Sequence, residues 1–152
     1  MEELEQLKQR MEQERPVGWD ELPDLALYMD QLISYMPRQL IRFDEEEQLT
    51  SAMVNNYIKD ELVPRAEGKR YSKSHLAFLT AVCALKKVLS VKDMGLLLDE
   101  VRAGREPQEL YAEFAQTLDG ALDKVACTLD ADTPEDFRRL RAFLSGRMTK
   151  RE

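Results

Sequence analysis

Apolar positions recur at helical spacing along most of the chain. In residues 1–15, "MEELEQLKQRMEQER", Leu4, Leu7 and Met11 mark one face of an otherwise polar helix that needs a partner surface, with Pro16 and Gly18 ending it. In "LPDLALYMDQLISYM" Leu25, Met29, Leu32, Ile33 and Met36 form a broad stripe, which predicts a second helix with Pro23 in its first turn and Pro37 at its stop. The acidic stretch "FDEEEQ" then leads to a helix from about Thr50 to Glu61, with Thr50 or Ser51 as N-cap. Ser72 caps a buried helix running to about Leu89, and "SVKD" opens the next, whose inner face is Val91, Met94, Leu98 and Val101. A stripe from Leu110 through Phe114, Leu118, Leu122 and Val125 to Leu129 predicts a longer helix weakened at Gly120. "TPEDFRRLRAFL" predicts a last one, capped by Thr133, with Phe137, Leu140 and Leu144 inside. The expected fold class is all-α, with a polar N-terminal helix and linker over 1–18, a central domain over 19–104 and a C-terminal helical extension over 105–152.

The helix from Thr50 has two unlike faces. Met53, Val54, Tyr57 and Ile58 lie on one; Ala52, Asn55, Asn56 and Lys59 lie on the other at spacings of three, four and seven. The polar face carries short amides and a cation, which suit base edges and phosphates respectively. Pro64 breaks the helix and Gly68 turns the chain in "VPRAEGKRY", from which Arg65, Lys69 and Arg70 project, at a length that fits a tight two-strand hairpin.

Charge sharpens the picture. Residues 1–48 carry 5 basic and 13 acidic side chains, residues 49–76 carry 5 and 3, and residues 77–152 carry 12 and 13, within a net charge of −7. Acidity over the whole chain argues against general coating of nucleic acid, yet the stretch that holds the amide face and the basic turn is locally positive. The longest uncharged apolar run, His75 to Leu85, is far shorter than the roughly 20 residues that span a bilayer. The first 15 residues are charged throughout and lack a signal-peptide pattern, so a cytoplasmic protein with no membrane partner is expected.

Cys83 and Cys127 lack metal-ligand spacing and are expected as buried free thiols. His75 is the single histidine and belongs to the first turn of a helix, with no catalytic task. No nucleophile, base and orienting group can be assembled, so neither an enzyme nor a bound metal or cofactor is expected.

Residues 49–98 resemble the winged-helix DNA-binding domain of MerR-type regulators. Tyr57, Leu62, Pro64, Gly68, Arg70, Tyr71, Leu76 and "SVKDM" stand at spacings close to that family's pattern, although Glu61 replaces the glycine before Leu62 and Asn55 and Asn56 replace an arginine. A wider likeness, carried by "LPDLALYMDQLISYM", "LTSAMVNNYIKDELVP" and "GKRYSKSHLAFL", is to the small bacterial proteins grouped as domain of unknown function 1836. The first resemblance implies a MerR-like winged helix-turn-helix with a small β wing and a helix laid in the major groove. It places Asn55, Asn56 and Lys59 toward bases and phosphates, with Tyr57, Lys69 and Arg70 on the DNA backbone. Ser51, Arg65, Tyr71 and Lys73 complete the candidate site. It also implies a homodimer, for which residues 107–129 are the candidate seam.

Two plainer readings stand beside these. The amide face also fits an ordinary solvated helix surface, and the stripe from Leu110 fits intramolecular core. The function expected is a sequence-specific transcriptional regulator that binds double-stranded DNA; the alternative is a protein-interaction module that reuses the winged-helix shape.

Overall fold

The computed structural model describes residues 2–40 and 48–129. The acidic connection at 41–47 and the helix expected from Thr133 lie outside the described residues. Within them run six α-helices: α1 (Glu2–Gln13), α2 (Met29–Tyr35), α3 (Ser51–Lys59), α4 (Lys73–Leu85), α5 (Val91–Arg102) and α6 (Pro107–Leu129). Short 3-10 turns occupy Trp19–Glu21 and Met36–Gln39, and among the described residues there is no strand, only isolated bridges. The protein is all-α. No described helix is long and apolar enough to cross a membrane.

Residues 14–117 form one compact unit; among the described residues, α1 and residues 118–129 belong to another. The division therefore differs from the boundaries expected at 18 and 104. A buried hydrogen-bond network accounts for the larger unit's reach. Gln39, 1% exposed, accepts from the Val17 N–H through Oε1 at 2.9 Å and donates from Nε2 to Thr80 Oγ1 at 3.2 Å and Tyr111 Oη at 2.8 Å. Tyr111 Oη in turn donates to the Val17 carbonyl at 2.5 Å, and Thr80 Oγ1 donates to the Leu76 carbonyl at 2.7 Å. Val17 before the first 3-10 turn and Tyr111 in α6 are thus tied to the same glutamine, and each of these buried polar side chains is satisfied.

Around this network α4 is the central helix. Its residues 75–80, 82 and 83 are buried, as expected of a helix apolar on nearly every side. Leu32 and Met36, Val54 and Tyr57, Leu62 and Val63, Met94 and Leu98 pack into the same core. Burial of each such side chain is worth roughly 1.5–3 kcal/mol. Met29 and Met53 are half-buried against it, so the methionines face inward as their spacing predicts.

Several helices begin where capping chemistry says they should. Thr50 Oγ1 accepts from the Met53 N–H at 3.2 Å, and Ser90 Oγ accepts from the Asp93 N–H at 3.1 Å. Ser72 precedes α4, and His75 sits in its first turn. α2 departs from expectation because it starts at Met29. Leu27 instead exchanges two backbone hydrogen bonds with Tyr71, N to O distances 2.8 and 2.7 Å, which draws the chain out of helical geometry and leaves Leu25 76% exposed. α2 ends at Tyr35, just ahead of Pro37 as expected, and Pro37 lies within the 3-10 turn that follows. Val91 is exposed on α5, whereas Met94 and Leu98 are buried as expected. α6 runs unbroken through Gly120. In the smaller unit Met11 and Ala126 are buried.

Candidate nucleic-acid interface

α3 ends in a Schellman motif. The Leu62 N–H bonds the Tyr57 carbonyl at 2.9 Å and the Glu61 N–H bonds the Ile58 carbonyl at 3.0 Å, while Glu61 adopts the left-handed conformation, φ 62°. Leu62 and Tyr57 are both buried beneath this motif, which fixes the register of the helix on the core. Its opposite side is open to solvent: Ser51, Asn55, Asn56 and Lys59 are all exposed. Ser51, Asn55 and Lys59 succeed one another at four-residue steps and form one ridge.

The basic turn is compact. Glu67 and Arg70 exchange two backbone hydrogen bonds of 3.0 Å across Gly68 and Lys69, which both have positive φ, 60° and 65°. Positive φ at both central positions is the type I′ geometry of a two-residue hairpin. The two-strand hairpin expected here is not formed among the described residues: the turn closes on a single isolated bridge, with Lys69 at its tip. Gly68 meets the conformational demand without cost, whereas Lys69 holds the same backbone region with a side chain.

The turn is held at both ends. Tyr71 anchors it to Leu27, and beneath it His75 accepts the Ser72 N–H at Nδ1, 2.9 Å, with Nε2 at 2.9 Å from the Arg65 carbonyl. A backbone N–H can only donate and a carbonyl only accept, so the imidazole proton resides on Nε2. The Tyr71 ring meets the His75 ring edge to face, centroids 5.2 Å apart.

Arg70 is fixed by an aromatic partner. Its Nη2 donates to Tyr28 Oη at 2.7 Å while its guanidinium lies 4.6 Å from the Tyr28 ring centroid. Lys73 Nζ stands 5.8 Å over the Trp19 ring. These contacts hold the cations without neutralising them. Tyr28, Met29, Asp30, Ile33, Ser51 and Lys69 together line an open cleft of about 710 Å³, so the first residue of α3 and the tip of the turn face a common space. Asp30 adds a negative charge to its wall.

Eight of the ten candidate residues thus remain at the surface: Ser51, Asn55, Asn56, Lys59, Arg65, Lys69 and Arg70 are exposed, and Lys73 is half-buried. Tyr57, which the resemblance puts on the DNA backbone, and Tyr71, also in the candidate site, are buried in the core, 8% and 5% exposed. Burial, with a smaller contribution from nearby Cys83, pushes the Tyr57 phenol up to about 12. Tyr28 was missed; nothing local links it to Arg70, which lies 42 positions away.

Cys83 is buried and free, and burial pushes its thiol up to about 11 against the lowering effect of Lys86 and Lys87. Cys127, also expected to be buried, is exposed. Among the described residues no group of His, Cys, Asp and Glu could hold a metal ion.

The family model for a domain of unknown function, DUF1836, matches residues 17–114. The chain belongs to that family. No curated protein and no solved structure matched it. The DUF1836 region contains α2 to α5, the beginning of α6 and all ten candidate residues. It begins at Val17 and passes Tyr111, the two residues that Gln39 ties together, so the family pattern coincides closely with the larger compact unit.

Proposed function

We propose that this DUF1836 protein is a sequence-specific DNA-binding transcriptional regulator with a MerR-like winged helix-turn-helix, in which α3 enters the major groove and the 67–70 turn serves as a minimal wing. The observation that carries the reading is the common cleft: Ser51 at the start of α3 and Lys69 at the tip of the turn line it together, beside the Tyr28 ring that holds Arg70. Amides on the exposed ridges of α3 supply the bidentate donors and acceptors that read a purine edge, while Lys59, Lys69 and Arg70 supply phosphate contacts. A homodimer through residues 107–129 would double this modest footprint and read two half-sites.

The test is capture of sheared genomic DNA from the source organism by the purified protein at near-physiological salt, sequenced, with the Lys59→Ala, Arg70→Ala double variant as control. Enrichment of one motif by the parent alone is the expected result. Each lost phosphate contact should reduce the slope of log affinity against log salt by about 0.9. Asn56→Ala should instead relax base preference, by about 1–3 kcal/mol at one position, without changing that slope. Equal capture by the parent and the double variant refutes the assignment of this face. The acidic total and Asp30 in the cleft then favour the second reading, a protein-interaction module of the same shape.

A further inference from the structure

We propose that the recess between α4, α5 and α6 in the 14–117 unit is a binding site for a small, uncharged aromatic molecule. The recess has a volume of about 320 Å³, within the range of ligand pockets and well beyond the voids left by ordinary core packing. α4 creates its space by presenting Ala77 and Ala81, one helical turn apart, where larger side chains would fill the gap to α5 and α6. Phe78, Tyr111 and Phe114 supply aromatic walls, and Leu97 stands at the mouth, 41% exposed.

The walls are preformed. Tyr111 turns only its ring toward the recess, because its hydroxyl is committed to Gln39 and Val17, and the Trp19 ring backs it with centroids 6.1 Å apart. Polar groups occur at the rim alone. Arg105 Nη2 pairs there with Glu113 Oε2, so the two charges cancel, and Thr117 adds a hydroxyl. A charged ligand would bury its charge against apolar walls with the rim charges already paired to each other; an uncharged one enters at no such cost. A dry cavity of about 150 Å³ accepts one benzene ring, so a recess of about twice that volume suits a molecule of two or three rings. This assignment is independent of what α3 contacts.

N-phenyl-1-naphthylamine, uncharged and fluorescent in apolar surroundings, is a direct probe for the full chain. Saturable one-to-one binding with a Kd on the order of 10 µM is expected. Ala81→Phe fills the recess and should raise that Kd at least tenfold while circular dichroism stays unchanged. Leu97→Asp, at an exposed position that folding tolerates, should weaken the probe likewise and covers the case in which Ala81→Phe fails to fold. The anionic analogue 8-anilino-1-naphthalenesulfonate should bind at least tenfold more weakly than the uncharged probe. Absence of saturable binding by the parent overturns the site, whether the recess is then filled by other residues of the chain or by a second copy. Unchanged affinity in folded variants overturns it equally, and tighter binding of the anion overturns the ligand class.

Discussion

Replacing Gln39 by leucine tests whether the buried network organises the 14–117 unit. The substitution removes the acceptor of the Val17 N–H and the donors to Thr80 Oγ1 and Tyr111 Oη. Thr80 and Tyr111 each keep a bond in which they donate, to Leu76 and Val17 carbonyls, so neither is orphaned. The Val17 N–H loses its partner at a half-buried position, which costs about 1 kcal/mol, and the loss of two bonds in the buried interior adds about the same again. Gln39→Leu should therefore destabilise the fold by about 2 kcal/mol. Tyr111→Phe strips the Val17 carbonyl and one Gln39 N–H of their partners and should cost a similar amount. Each single variant loses the same Gln39–Tyr111 bond, so the double variant should cost about 1 kcal/mol less than the sum. Urea denaturation followed by Trp19 fluorescence reads all four forms. Strict additivity, or a cost for Gln39→Leu below about 0.5 kcal/mol, would show that the network is incidental to a core held by apolar packing.

Two further substitutions test other features of the fold. Glu61→Gly should stabilise the protein by up to about 1 kcal/mol, because glycine removes the side-chain cost of the left-handed position more than it adds unfolded-state entropy; Glu61→Ala should give no gain, and a destabilised glycine variant in thermal melts would contradict the Schellman account. Cys83 and Tyr57 have folded pKa values raised above their ordinary 9.0 and 10.0, to about 11 and about 12, so the native state retains protons that the unfolded chain releases. Stability should accordingly be intact below pH 9 and fall progressively as pH rises toward 12, first through Cys83 and then through Tyr57, and Cys83→Ala should flatten the first part of that decline in urea midpoints measured from pH 8 to 11. A decline of equal slope in the alanine variant would remove Cys83 as its cause.

What could be read from the chain alone divides by distance along it. Thr50, Ser72 and Ser90 announce helix starts because a cap satisfies N–H groups within three residues, and α4 announces burial through its own composition. The misplaced start of α2 shows the limit. Residues 25–36 carry a sound helical period, but Tyr71 claims the backbone of Leu27 and local pattern cannot register a partner 44 positions away. Gln39 is obscured in the same way, since its partners lie 22, 41 and 72 positions off and a glutamine outside any apolar stripe reads as surface. The resemblance puts Tyr57 on the DNA backbone, whereas the period of its own helix puts it on the apolar face, and it is buried under the Schellman turn; Tyr71 is buried against His75.

The same distance rule bears on how an acidic chain could bind a polyanion. Charge counted along the sequence treats every cation as equally available and shows only that residues 49–76 carry a small positive surplus. Geometry distinguishes two pairs of cations, although Arg102 also lies 5.7 Å over the Phe78 ring. Arg102 and Arg105 are spent on Asp99 and Glu113, and an anion would have to compete for them. Arg70 and Lys73 rest instead on the rings of Tyr28 and Trp19. A ring orders a cation and leaves its full charge to act outward, so the entropy of positioning has already been lost before a phosphate arrives. Tyr28→Phe isolates this effect: it keeps the ring beneath Arg70 and deletes the 2.7 Å hydrogen bond. If the α3 face binds DNA, that variant should weaken affinity severalfold at unchanged salt slope, since the charge remains and only its placement loosens. A slope reduced as far as in Arg70→Ala would mean that Tyr28 supplies more than position, and an unchanged affinity would mean that Arg70 needs no support to reach its phosphate.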